Sequence, residues 1–108
     1  MHTIRVITKK LVKKKIPKHI LGDYSNLLKH QVIKQDGFIK SNSYWHELEE
    51  HSPAQVITIS KWDNYESWNN WLESKSRYDV SKHYAPFIEM EEHKVLCRNI
   101  KKFDMFLL

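Results

Sequence analysis

The sequence predicts an α+β domain in which helices cover one face of a four-stranded antiparallel sheet. Two observations point to it: some segments alternate apolar, often β-branched residues with polar ones, and two others repeat apolar residues at helical spacing. A third observation is their order along the chain, β-α-β-β-α-β. The 108 residues suit one domain of ordinary size, and we expect residues 1–108 to form it.

The first half of the chain begins with a strand over residues 3–12, where apolar residues stand on both sides. Pro17 then occupies a position that the first turn of a helix tolerates, and apolar residues recur at helical spacing to about Lys34. Asp36-Gly37 is the expected stop of this helix. A second strand is predicted from Phe38 to about Glu47.

The second half contains the clearest strand, from Ala54 to Lys61, which is rich in β-branched residues. Asp63 and Glu66 have the spacing of a capping box, which predicts that a helix opens there. We expect this helix to run, with a break near residues 74–76, until Pro86 ends it. A last strand covers about residues 92–100, and the apolar segment 103–108 is expected to dock on its own domain or on a partner subunit.

This order of elements is the split βαβ arrangement of ferredoxin-like domains. Its helices cover one face of the sheet, yet the first, third and last strands carry apolar side chains on both faces. Exposed apolar patches of several hundred Å² are uncommon in monomers. The sequence therefore predicts a homodimer joined through the sheet faces.

Composition excludes several classes of protein. No apolar run approaches the ~20 residues of a membrane span, and the first residues do not resemble a signal peptide, so we expect a soluble, cytoplasmic protein with no membrane partner. The single Cys97 excludes an internal disulfide and a cysteine-based zinc cluster. His46 and His51 are five positions apart rather than the four of a helical zinc motif. The third strand of RNA-binding domains carries a motif of glycine and aromatic residues on which bases stack. Residues 55–60 lack this motif, so no nucleic-acid partner is predicted.

The net charge of +5 is concentrated in lysines between positions 9 and 18. Such a cluster is consistent with a patch for phosphate or an acidic substrate. The same cluster is also typical of a solvated turn between a strand and a helix, and this second interpretation is favoured.

Several motifs together resemble the antibiotic-biosynthesis monooxygenase family of dimeric ferredoxin-like domains, and the resemblance implies a dimeric α+β barrel. They are Gly37-Phe38 at the second strand, Ile57-Thr58-Ile59-Ser60-Lys61-Trp62, Tyr65, Trp68, Trp71-Leu72 and His83. The resemblance spans nearly the whole chain. The family includes cofactor-free oxygenases of quinols and anthrones as well as haem-degrading enzymes.

The resemblance argues against haem degradation. That branch has an Asn-Trp-His constellation, and the tryptophan corresponds to Trp71. Thr8 stands at the asparagine position and Ser81 at the histidine position, while His83 lies two residues later, about 200° around a regular helix. Because an imidazole is the expected axial ligand of iron, haem is not favoured and no cofactor or metal is predicted.

The cofactor-free branch implies a small aromatic or quinol-like substrate that reacts with dioxygen after deprotonation. We expect His83 to be the base or to orient the substrate, Trp71 to form a pocket wall, and Thr8 to donate or accept a hydrogen bond from the sheet. Further substrate-binding candidates are Trp68, Tyr78, Ser81 and Tyr84. The alternative is a non-catalytic dimer that binds a small ligand or serves as an interaction domain, with these tryptophans used for packing.

Overall fold

The computed structural model describes residues 3–13, 16–47 and 54–97. The elements are β1 (Ile4–Val12), α1 (Lys18–Val32), β2 (Phe38–Glu47), β3 (Ala54–Trp62), α2 (Tyr65–Leu72), α3 (Lys75–Tyr84), a 3-10 turn (Ala85–Phe87) and β4 (Ile88–Cys97). The predicted ferredoxin-like α+β fold is confirmed. The predicted docking of segment 103–108 falls outside the described residues.

The four strands form one antiparallel sheet in the order β2-β3-β1-β4, so β1 lies between β3 and β4. In this register Thr8 stands opposite Thr58 on β3 and opposite His93 on β4. Residues directly opposite each other in neighbouring strands project from the same face of a sheet. The register therefore collects side chains from the two ends of the chain beneath the helices.

The second predicted helix is divided into α2 and α3 by Glu73 and Ser74, close to the predicted break. Its N-cap is Asn64, whose side chain accepts a hydrogen bond from the Ser67 amide at 2.8 Å. The prediction that the cap is at Asp63 is wrong by one residue. The backbone N–H of Asp63 instead donates to the Gly37 carbonyl at 2.8 Å, which joins the end of β3 to the beginning of β2.

Two other boundaries differ from the prediction. Helix α1 ends at Val32, and Gly37, with a φ of 82°, makes the turn into β2 rather than capping the helix. Strand β4 begins at Ile88, four residues before the predicted start, because Pro86 lies in the 3-10 turn and the chain extends directly after it.

The buried core consists of two clusters at opposite ends of β1. One comprises Ile4, Val6, Val32, Trp62, Trp68 and Trp71, and the other Val12, Leu21 and Val56. Between these ends, β1 contributes Thr8 and Lys10 to the face beneath the helices. The apolar core is thus interrupted by polar residues at the middle of the sheet.

The opposite face of the sheet carries apolar side chains with no helix over them. Ile7 lies opposite Ile59, and Ile57 lies opposite Tyr44. Tyr44 is 55% exposed and Ile59 39% exposed. We name Ile7, Leu11, Tyr44, Ile57 and Ile59 the open sheet face. Within the described ranges, no helix has the length and apolarity to cross a membrane.

Candidate active site

A cavity of about 330 Å³ lies between the helices and the polar middle of the sheet. This volume is within the range of small-molecule sites, about 300–1,000 Å³. Its lining combines three kinds of residue. Hydroxyl groups come from Thr8, Ser25, Ser41, Ser43, Thr58 and Ser60, apolar walls from Leu28, Val32, Trp68, Trp71 and Leu72, and ionisable groups from Lys10, Lys29, Arg77, Glu91 and His93.

The centre of the cavity floor is a chain of three side chains, Thr8, His93 and Glu91. Thr8 Oγ1 lies 2.9 Å from His93 Nδ1, and His93 Nε2 lies 3.5 Å from Glu91 Oε2. An ionised carboxylate only accepts hydrogen bonds, so it favours the tautomer with the proton on Nε2. Nδ1 of the neutral ring is then an acceptor for the Thr8 hydroxyl. A hydroxyl, an imidazole and a carboxylate thus form a continuous chain of polar contacts.

Glu91 is held ionised by the cations around it. Arg77 Nη2 lies 2.6 Å from Glu91 Oε2, and Lys10 Nζ lies 3.6 Å from Oε1. Burial alone would raise the pKa of Glu91, but the hydrogen bond from His93 and the charges of Lys10 and Arg77 outweigh it and lower that pKa to about 2. At neutral pH a carboxylate therefore faces the His93 ring.

Lys10 is buried although it is a lysine on a sheet strand. The residue is 8% exposed, and its ammonium lies 4.6 Å from the centre of the Tyr24 ring. Burial lowers the pKa of Lys10, and the adjacent Arg77 lowers it further, while Glu91 opposes both. The preference for a solvated lysine cluster is therefore wrong for Lys10, since strand alternation turns it beneath the helices.

The aromatic wall is formed by α2 and fixed by the start of α3. Trp68 meets the His93 ring edge to face, with ring centres 5.7 Å apart. The Ser74 hydroxyl donates to the Trp71 carbonyl at 2.8 Å and accepts from the Arg77 amide at 3.2 Å. One capping serine therefore positions both an aromatic wall residue and a cavity cation.

The structure brings together three of the seven residues predicted from the sequence, Thr8, Trp68 and Trp71. The exposed His83 lies instead in a separate groove between α1 and α3, together with Tyr84. Its side chain points away because α3 is rotated so that Arg77 meets the sheet.

The other three predicted residues, Tyr78, Ser81 and Tyr84, do not line the cavity. Tyr84 stacks on Tyr24 with ring centres 4.6 Å apart, and the buried Ser81 hydroxyl lies beside the Tyr24 hydroxyl. Tyr78 is 64% exposed. Tyr84 and Ser81 therefore support Tyr24, the ring beneath the Lys10 ammonium, rather than lining the cavity.

Sequence reasoning missed His93, Glu91 and Arg77, and it considered Lys10 only within the lysine cluster, where a solvated turn was preferred. The sequence did carry a signal for Glu91 and His93. Together with Val95 they are spaced at intervals of two residues, so all three lie on the same face of β4, next to β1. Arg77 carried no such signal, since its placement depends on the angle between α2 and α3. In the described part of the chain, no three His, Cys, Asp or Glu side chains converge as metal ligands would.

No protein-family model matches the sequence, and no curated protein matches it significantly. Solved structures do match. SnoaB of Streptomyces nogalater, described as a cofactor-independent oxygenase, is 10% identical, with a TM-score of 0.74 over 94% of this chain and 98% of SnoaB. The chain has the fold of the antibiotic-biosynthesis monooxygenases. The resemblance inferred from sequence motifs is thus confirmed at the level of the fold.

Two further structures widen the comparison. A Bacillus cereus protein provisionally named an antibiotic-biosynthesis monooxygenase is 17% identical, with a TM-score of 0.58 over 94% of this chain and 98% of its own. A Bacteroides fragilis protein of unknown function, described as dimeric with a ferredoxin-like fold, is 12% identical, with a TM-score of 0.64 over 86% and 93%. At these identities the likeness concerns the fold and not the reaction.

Proposed function

We propose that this protein is a cofactor-independent monooxygenase acting with dioxygen on a small, quinol-like aromatic substrate. The observation that carries the proposal is His93, which lies between Thr8 and Glu91 in a cavity walled by Trp68 and Trp71. A base, a flat apolar wall and a desolvated space are what this chemistry requires of a protein. SnoaB, which is described as a cofactor-independent oxygenase, has the same fold, so this fold is compatible with the proposed chemistry.

The proton step uses the line of three side chains. A substrate O–H or acidic C–H gives its proton to Thr8 Oγ1, whose own proton passes to His93 Nδ1 over 2.9 Å. The imidazolium that forms is stabilised by the Glu91 carboxylate. Lys10 and Arg77 line the same cavity, and their positive potential favours the anionic form of the substrate.

The oxygen step belongs to the substrate. Its carbanion or phenolate transfers an electron to dioxygen, and a carbon–oxygen bond forms to give a peroxide, which takes back the proton from His93. Loss of water from a hydroperoxide at carbon then leaves a carbonyl group. One oxygen atom is retained in the product and the other leaves as water, so no external reductant is required.

Oxygen consumption with a panel of quinols and anthrones tests the proposal. With a turned-over substrate, His93→Gln keeps a similar polar volume but removes the base, and we expect kcat to fall by about 100-fold or more. His83→Gln tests the site predicted from sequence, and we expect it to retain wild-type kcat. Loss of activity in the His83 variant but not in the His93 variant would contradict the assignment of the base.

A second function remains the alternative, a non-catalytic dimer that binds a small ligand. The polar floor and the cavity volume suit binding as well as turnover. Tight binding of an aromatic compound, followed by tryptophan fluorescence, with no oxygen uptake across the panel would favour this alternative over the oxygenase.

A further inference from the structure

We propose that the cavity binds an anionic ligand, an aromatic acid whose carboxylate lies between Lys10 and Arg77. The inference deepens the proposed function by naming a substrate class, and it rests on that function for turnover but not for binding. It arises from the charge and geometry of the cavity rather than from the fold.

The cavity carries an excess of positive charge. Among the described residues that line it, Lys10, Lys29 and Arg77 are cations, whereas Glu91 is an anion. Lys29 is exposed, so the excess inside the cavity is one positive charge, from Lys10 and Arg77 against Glu91. An excess of positive charge in a partly open cavity favours the binding of an anion.

Lys10 has donors to spare. Its ammonium approaches Glu91 at 3.6 Å, which is longer than a hydrogen bond, and its other neighbour is the face of Tyr24. An ammonium has three N–H donors. The residue is 8% exposed and lines the cavity, so a ligand carboxylate there can accept from the donors that Glu91 does not take.

Arg77 is similarly placed to share its charge. Nη2 donates to Glu91 at 2.6 Å and Nη1 to the Leu72 carbonyl at 3.4 Å. A guanidinium has five donors, so these two contacts orient the group and leave capacity for an oxyanion. The exposed Lys29 on α1 also lines the cavity, where its charge would attract an anion approaching from solvent.

The remaining lining divides the cavity into a polar and an apolar part. Trp68, Trp71 and Leu72 suit the faces of an aromatic ring, while the hydroxyls of Thr8 and Thr58 lie on the sheet floor. A ligand with a ring at one end and a carboxylate at the other would satisfy both parts. A neutral quinol would give Lys10 and Arg77 no anionic partner beyond Glu91.

A matched pair of probes tests this on the wild-type protein. Gentisate is a quinol that carries a carboxylate, and its methyl ester has the same ring without the charge. We expect gentisate to bind at least about tenfold more tightly than methyl gentisate at pH 7. Titration calorimetry measures both dissociation constants, and equal or tighter binding of the ester would overturn the proposal.

A variant locates the carboxylate. Lys10→Met keeps the length of the side chain and removes the charge, so we expect the gentisate dissociation constant to rise to within about threefold of the ester's, with ester binding unchanged. Lys82→Met is the control, because Lys82 is paired with Asp79 on the outer surface. If Lys10→Met does not fold, the wild-type comparison still decides the question.

Binding and turnover separate this proposal from the previous one. Selective binding of gentisate without oxygen uptake supports the anion site and counts against the oxygenase with this probe. Oxygen uptake with methyl gentisate at an efficiency equal to that with gentisate supports the oxygenase and overturns the anion site.

Discussion

Glu91 is the residue on which the charge balance of the cavity depends. Its two oxygens face Arg77, Lys10 and His93, so a single carboxylate neutralises cations contributed by β1 and α3 and orients the imidazole on β4. Glu91 is partly exposed, but Lys10 is buried, so removing the carboxylate leaves the buried Lys10 charge without its ion-pair partner. Glu91 should therefore influence both stability and the proton step.

The lowered pKa of Glu91 predicts how stability changes in acid. Its pKa of about 2 in the folded protein lies below its ordinary value of 4.5. The unfolded chain therefore binds more protons between these values, and the stabilisation, on the order of 2–3 kcal/mol, is present above about pH 4.5 and lost as the pH falls toward 2. Urea unfolding between pH 2.5 and pH 6 measures the change.

The matched variants are Glu91→Gln and Glu73→Gln. Glu91→Gln should be less stable than the wild type at pH 6 and should show a smaller dependence on pH. Glu73 is an exposed carboxylate after α2, and its variant should keep the wild-type dependence. An unchanged slope in the Glu91 variant would show that its carboxylate is not preferentially ionised in the folded state.

At the scale of elements, the turn between α1 and β2 packs closely against the beginning of α2. Gly37 has a φ of 82°, and its carbonyl accepts from the Asp63 amide. A Cβ at Gly37 would overlap the Ser67 side chain, coming within 2.5 Å of its Cβ. Here a glycine is required both by conformation and by close approach.

The two glycines of the chain form a natural comparison. Gly37→Ala should lower the free energy of unfolding by about 2 kcal/mol or more, through the positive φ and the overlap with α2. Gly22→Ala should raise it by about 0.5–1 kcal/mol, because Gly22 is inside α1 and a Cβ there meets no atom within 4 Å. Chemical denaturation measures both, and effects of equal sign would contradict this account.

At the scale of the whole molecule, the open sheet face is the main surface without a structural explanation in the single chain. Its apolar residues are contributed by β1, β2 and β3, and Ile59 lies at its centre opposite Ile7 and Asn42. A second sheet packed about 10 Å away would bury these side chains. We expect two copies of the chain to associate through this face.

Light scattering at micromolar concentration measures the assembly. The wild type should give about 26 kDa, twice the chain mass of 13.1 kDa. Ile59→Glu places a charge at the centre of the open sheet face and should shift the mass toward that of one chain. Leu27→Glu is the control, because Leu27 is 44% exposed on the helical side. A wild-type mass near 13 kDa would contradict the dimer.

The sequence by itself determined the order and type of the elements, because alternation and helical spacing are local properties of the chain. It placed β2 from Phe38 to Glu47 as observed and gave the position of the break between α2 and α3. It also indicated Thr8 and Trp71 as cavity residues, through motifs that resemble a known family.

The tertiary structure decided which histidine lies in the cavity with Thr8 and Trp71. Thr8 and His93 are 85 positions apart, and their contact depends on the register between β1 and β4, which is set by the packing of the whole sheet rather than by local spacing. The same register turned Lys10 inward, while the rotation of α3 brought Arg77 to Glu91 and left His83 outside. Residues that look alike in the sequence were therefore separated by long-range pairing into a cavity group and a surface group.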